Sequence, residues 1–202
     1  MHPVAVPSDE EIRALHKEHA PDAAAFDSVY THCQIVCEIA EQLYDHSGVG
    51  GDIDLVRAGC LLHDIGVYRL YEGGLLDHAN YIRHGILGQE LLREAGYPEE
   101  VCRFAAHHTG VGLTRDDIIQ QELPLPLGDY LAESEEERLV MYADKFHSKS
   151  TPPRFLTADA YAKRVRRFSH DKVTAFNILR ATFGEPDLAP LQTSHGHRVI
   201  CD

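Results

Sequence analysis

Residues 60–66 read Cys60-Leu61-Leu62-His63-Asp64-Ile65-Gly66, and the rest of the chain is best read outward from them. The stretch closes an apolar helical segment with two adjacent side chains that can hold a cation. Burying an imidazole beside a carboxylate is costly unless something pairs them. A divalent ion does so, because Asp supplies charge and neutral His supplies a lone pair. Gly66 then lets the chain turn out of the helix.

On the N-terminal side, Ser8-Asp9-Glu10-Glu11 reads as a capping box for a short helix carrying Ile12 and Leu15, which Pro21 ends. From about Asp27 to Tyr44, Val29, Val36, Ala40 and Leu43 recur at helical spacing, and His32 falls on the same inward stripe. Gly48 to Gly51 is a loop, and Asp52 or Asp54 caps the helix that ends in the His63-Asp64 pair.

On the C-terminal side, Gly73-Gly74 breaks the chain and a helix is predicted from His78 to Ala95, with His84 on its inward face. Gly85 and Gly88 inside that helix each cost about 1 kcal/mol against Ala, which points to close approach of a neighbour or ligand. Beyond Pro98, Val101, Phe104 and His108 lie on one line, whereas His107 is rotated about 100° away. His108 is therefore the preferred ligand and His107 the reserve. Ser134-Glu135-Glu136-Glu137 reads as a second capping box, opening a helix on which Val140, Ala143, Asp144 and His147 share a side. Helical periodicity returns from Tyr161 to Phe183, and the tail beyond Gly184 is expected to be irregular. No stretch alternates strongly enough for a sheet, so the class is all-α, in one domain spanning residues 1–202.

The chain has 202 residues with 19 basic and 32 acidic side chains, a net charge of −13. That balance opposes a nucleic-acid or anionic-membrane partner and suits a small, metal-neutralised substrate. The five cysteines form no CxxC pair, which fits a cytoplasmic location without a disulfide framework. No run reaches the roughly 20 apolar residues of a membrane span.

The set His32, His63-Asp64, His84, His108 and Asp144 places several polar side chains inside one helical domain, and a shared metal centre satisfies them together. In this order the motifs resemble the HD-domain metal-dependent phosphohydrolase superfamily, with Ile65-Gly66 giving the HDIG variant. The resemblance runs from about Ser28 to Lys149, leaving residues 155–184 as a helical extension without an assigned motif. It implies a helical bundle with the metal site at its centre. One ion would sit on His32, His63, Asp64 and Asp144; a second would take His84 and His108, with Asp64 bridging. Iron, manganese, cobalt, nickel, magnesium or zinc would suit such ligands.

The reaction so implied is hydrolysis of a nucleotide or other small phosphate ester by metal-activated water, with His63 and Asp64 as the catalytic pair. The first alternative is a di-iron HD oxygenase acting on a polyol or hydroxyphosphonate; the second is a non-catalytic HD-fold sensor. Many HDIG proteins carry a Lys directly after the glycine, where this chain has Val67. Lys149 and Arg154 are the better substitutes for that anion contact, followed by Arg69 and Lys145. Lys145 follows Asp144 in a helix and so is expected to point well away from it. His78 and His147 read first as surface or helix-end histidines, with support of a ligand or service as a pocket acid the alternative, and the run Lys163, Arg164, Arg166, Arg167 reads as an exposed helix face.

Overall fold

The computed structural model describes residues 4–201. The Ser8 box forms as expected: its hydroxyl accepts from the Glu11 backbone N–H, and the Glu11 carboxylate accepts from the Ser8 N–H at 2.8 Å, opening α1 (Asp9–His19). Asp22 caps the long α2 (Ala23–Ser47), which ends at Gly48 with φ 64°. The buried stripe of α2 includes Val29, His32, Val36, Ala40 and Leu43. Asp52 caps α3 (Ile53–Leu62), which lies against α2.

After Leu62 the helix tightens through His63-Asp64 into a 3₁₀ turn, Ile65–Leu70. The Gly73-Gly74 break is a hairpin joining β1 (Tyr71–Glu72) to β2 (Leu75–Leu76), with both glycines at positive φ. The helix expected from His78 begins six residues later, as α4 (His84–Glu94) after a 3₁₀ turn at Tyr81–Arg83. The delay has a local cause. Asp77 accepts from the backbone N–H groups of Ala79 and Asn80, which holds that segment in a turn.

Next come α5 (Glu99–His107), α6 (Arg115–Gln120) and α7 (Glu135–Ala143). Only half of the expected Ser134 box forms. Ser134 accepts from the Glu137 N–H at 3.2 Å, but the Glu137 carboxylate is buried and accepts from Arg103 Nε at 2.8 Å. The helix does not continue through His147. A 3₁₀ turn at Asp144–Phe146 leads into β3 (His147–Ser148) and β4 (Arg154–Leu156).

The chain closes with α8 (Ala158–Val165), α9 (His170–Phe183), α10 (Leu188–His195) and β5 (Arg198–Ile200). The tail is thus ordered rather than irregular. Asp187 caps α10, Leu191 is buried, and β5 pairs in parallel with β4, itself antiparallel to β3. The two short sheets decorate a helical molecule whose core lies where α2, α3, α5 and α7 meet.

Three glycines set the spacing of the bundle by what they lack. A Cβ on Gly66 would lie 2.0 Å from the His84 carbonyl oxygen and 2.2 Å from the Gly88 nitrogen. One on Gly85 would lie 2.8 Å from the Ala105 carbonyl oxygen, and one on Gly88 would lie 2.9 Å from the Ala105 Cβ. The 3₁₀ turn after α3 can therefore press on α4, and α4 on α5. Gly66 serves by small size rather than by an unusual backbone angle.

Candidate metal centre

That close packing brings His63 and Asp64 from the end of α3, His84 from the start of α4, and His108 from the end of α5 to one point. His32 reaches it from mid-α2 and Asp144 from the end of α7. Three overlapping groups, His32-His63-Asp64, His63-His108-Asp144 and Asp64-His84-His108, each have ligand atoms within 4.8 Å of one another.

Each ring is aimed by its other nitrogen. His63 Nδ1 lies 2.7 Å from the Cys60 carbonyl, His84 Nδ1 2.6 Å from that of Tyr81, and His108 Nδ1 2.7 Å from that of Ala105. Carbonyls only accept, so each Nδ1 carries a proton, and in the neutral ring Nε2 turns a lone pair inward.

His84 Nε2 and His108 Nε2 confront one another at 3.0 Å, and His63 Nε2 is 3.3 Å from His32 Nε2. Burial pushes His84 down to about 3 and also lowers His108, so a proton does not relieve the first contact at neutral pH. Asp64 Oδ1, which faces those two rings at 3.4 and 3.6 Å, is buried without a hydrogen-bond partner. The donors are matched to a cation. Ligand atoms about 2.1 Å from a common ion lie about 3.0 Å apart at right angles and about 3.4 Å apart at tetrahedral angles.

The contacts sort into two sets sharing one carboxylate. Asp64 Oδ2 lies 3.2 Å from His32 Nε2 and 3.5 Å from His63 Nε2, while Asp144 Oδ1 lies 3.0 and 3.5 Å from the same atoms. Asp64 Oδ1 instead faces His84 and His108.

Burial opposes the charge on Asp64 and on Asp144, yet Lys149 holds the first carboxyl well below its ordinary range and Lys145 holds the second there. Burial likewise opposes a charged His63, but the Asp64 carboxylate together with Cys33 and Asp144 raises that ring well above its ordinary value. A cation must displace this proton, so binding is favoured as pH rises.

Lys149 forms an ion pair with Asp64 Oδ2, and its ammonium lies 5.6 Å from the Tyr81 ring centre. The expectation that Lys145 points away from Asp144 is overturned. Because α7 stops at Ala143, the Lys145 ammonium folds back to 2.6 Å from Asp144 Oδ2 and donates to the His108 carbonyl at 2.9 Å. Arg69 does not reach the site: its guanidinium pairs with Glu94. His107 is also elsewhere, with Nδ1 3.4 Å from Glu137 Oε2, as its rotation on the helix implies.

Reading the sequence alone misplaces His147, which is buried rather than superficial. Its Nδ1 lies 2.8 Å from His32 Nδ1, and its Nε2 lies 3.0 Å from His197 Nδ1 in the tail. It supports His32 as carbonyls support the other three rings. Spacing puts it on the side of Val140, Ala143 and Asp144 but does not name its partners, which are residues 32 and 197. A cavity of about 480 Å³ opens beside the cluster, lined among others by His32, Asp144, Lys149, Tyr81, Tyr161 and Arg164. His78 lines it from an exposed position.

Residues 29–149 match the sequence profile of the HD domain family. An uncharacterized protein of Methanocaldococcus jannaschii is 40% identical over 121 residues, which cover 58% of this chain and 65% of that protein. The tRNA (cytidine(56)-2'-O)-methyltransferase of Picrophilus torridus is 32% identical over 143 residues, covering 71% of this chain and 37% of the enzyme. That of Thermoplasma volcanium is 33% identical over 120 residues, 59% and 32% respectively. The matched part thus spans less than two thirds of each relative. In fold, the chain resembles the HD domain of the L. monocytogenes phosphodiesterase PgpH, with a TM-score of 0.54 at 18% identity, covering 93% of this chain and 100% of that one. The same domain in complex with cyclic-di-AMP gives a TM-score of 0.54 at 19% identity, over 94% and 99%.

Proposed function

The chain belongs to the HD-domain family, and from that premise we propose that it is a metal-dependent phosphohydrolase, cleaving a nucleotide or another small phosphate ester with metal-activated water. The observation that carries this reading is the division of one buried carboxylate. Asp64 Oδ2 faces His32 and His63 while Asp64 Oδ1 faces His84 and His108, an arrangement suited to two ions. When bound, divalent ions of the iron, manganese, cobalt, nickel, magnesium or zinc type supply Lewis acidity toward a phosphoryl group and a nucleophile from water at neutral pH.

The chain's own groups do the rest. Asp64 and Asp144 supply the negative charge that retains the ions, and the Nδ1–carbonyl bonds fix the rings before any ion arrives. Lys149, which lines the cavity and pairs with Asp64, would meet a phosphoryl oxygen. Lys145 holds the Asp144 carboxylate in position by bridging it to the His108 carbonyl.

Hydrolysis of p-nitrophenyl phosphate, bis(p-nitrophenyl) phosphate and cyclic-di-AMP, the last because it occupies the PgpH domain, tests the reading. Turnover of at least one with added Mn²⁺, abolished in His63→Ala and Asp64→Ala, is expected. Metal-replete protein that hydrolyses no phosphate ester, yet shows a mixed-valent di-iron signal perturbed by a polyol, would overturn it in favour of oxygenase chemistry.

A further inference from the structure

The segment beyond residue 149 lies outside the matched family region, yet it contributes part of the cavity wall. Leu156 on β4 and Tyr161 and Arg164 on α8 line that wall. Tyr161 and Arg164 are three apart and so share a face of α8. Arg154 is two residues before Leu156 and so projects from the same face of β4.

Of the twelve other arginines, six are held by carboxylates: Arg57, Arg69, Arg93, Arg103, Arg138 and Arg180. Arg154 and Arg164, both only partly exposed, form no ion pair among the described residues, and Arg154 Nε is buried without a hydrogen-bond partner. In a chain of net charge −13, unpaired guanidinium groups beside a cavity are a site prepared for an anion from outside. Burial, then the like charges of Arg154 and Arg167, weaken the hold of Arg164 on its proton, which an incoming anion would reverse.

Resting on the phosphohydrolase reading, we propose that the substrate carries a second phosphate, which Arg164, with Arg154 beside it, binds at the α8 wall of the cavity while the scissile phosphate lies against Lys149 and the metal ligands. The substrate class is then a nucleotide with two separated phosphates, such as a nucleoside bisphosphate or a dinucleotide. A cavity of about 480 Å³ is within the usual range for a ligand of that size. Arg164 is a specificity-determining residue.

Two readouts test this on the full chain. In calorimetric titration, adenosine 3′,5′-bisphosphate should bind at least about tenfold tighter than adenosine 5′-monophosphate, and Arg164→Ala should remove most of that preference while Arg164→Lys keeps part of it. In kinetics with Mn²⁺, the kcat/KM ratio of bisphosphate to p-nitrophenyl phosphate should fall about tenfold or more in Arg164→Ala, mainly through KM. An equal loss on both substrates, no preference in the wild-type protein, or an Arg164 effect confined to single-stranded oligonucleotides would overturn the proposal. Arg164-dependent binding without hydrolysis of any ester would support this site while removing the phosphohydrolase reading.

Discussion

His16 and His84 are both buried, and burial lowers both, to about 4 and about 3. Their surroundings differ. His16 lies 2.8 Å from the Tyr68 hydroxyl through Nδ1 and 2.7 Å from the Leu61 carbonyl through Nε2, so each ring nitrogen has a partner. His84 has a carbonyl for Nδ1, but its Nε2 meets another imidazole nitrogen at 3.0 Å and an orphaned carboxylate oxygen at 3.4 Å. Burial does not distinguish a ligand from a structural histidine. Between these two, the difference lies in whether both ring nitrogens already have a partner within the protein.

The largest expected effect breaks the metal side of the comparison. Asp64→Asn should release both ions, because it removes the charge shared by the two donor sets. Turnover should fall by at least about 10²–10³-fold, the size of losing one main stabiliser of transition-state charge. Elemental analysis and steady-state rates check this; an ion content equal to wild type would separate Asp64 from metal binding.

The His16 side is tested by pH. Its folded value, about 4, lies below the ordinary 6.5, so the unfolded chain takes up a proton first as pH falls. The stability due to His16 is complete above about 6.5 and is lost as pH drops toward 4, up to about 3 kcal/mol. Urea unfolding of wild type and His16→Gln at pH 7 and pH 4.5 isolates that share. Metal content should be unaltered in the variant, and a steeper pH dependence in His16→Gln than in wild type would contradict the assignment.

His32, His63, Asp64, His84, His108 and Asp144 were legible in the sequence because each falls on an inward helical position or in a compact motif, and the structure brings them together. Lys145 was misread because the helix was carried one turn too far; α7 stops at Ala143, and the side chain of Lys145 turns back. His147 and the tail were not legible because the contacts that define them are non-local. His147 is held by residues 115 positions before it and 50 after it. The strand Arg198–Ile200 exists only through its pairing with residues 154–156. Arg164 sits on an eight-residue helix whose charge run reads as a solvated face until the cavity beside it is seen.

A smaller effect lies one contact outside the ligands. His147→Ala removes the partner of His32 Nδ1 and should weaken retention of the ion on His32 by about 10–100-fold, measured by competition with a chelator. Unchanged affinity would show that α2 alone orients the ring. Smaller still, Arg69→Ala removes a guanidinium from an exposed pair with Glu94 and should alter stability by about 1 kcal/mol or less, with no change in metal content.

The central claim is that one carboxylate joins two cation sites. Anomalous scattering from crystals soaked in Mn²⁺ tests it most directly. The expected map has two peaks about 3.5–4 Å apart, one against His32, His63 and Asp144, the other against His84 and His108, with Asp64 between them. A single peak touching only one donor set, or none within reach of Asp64, would contradict it.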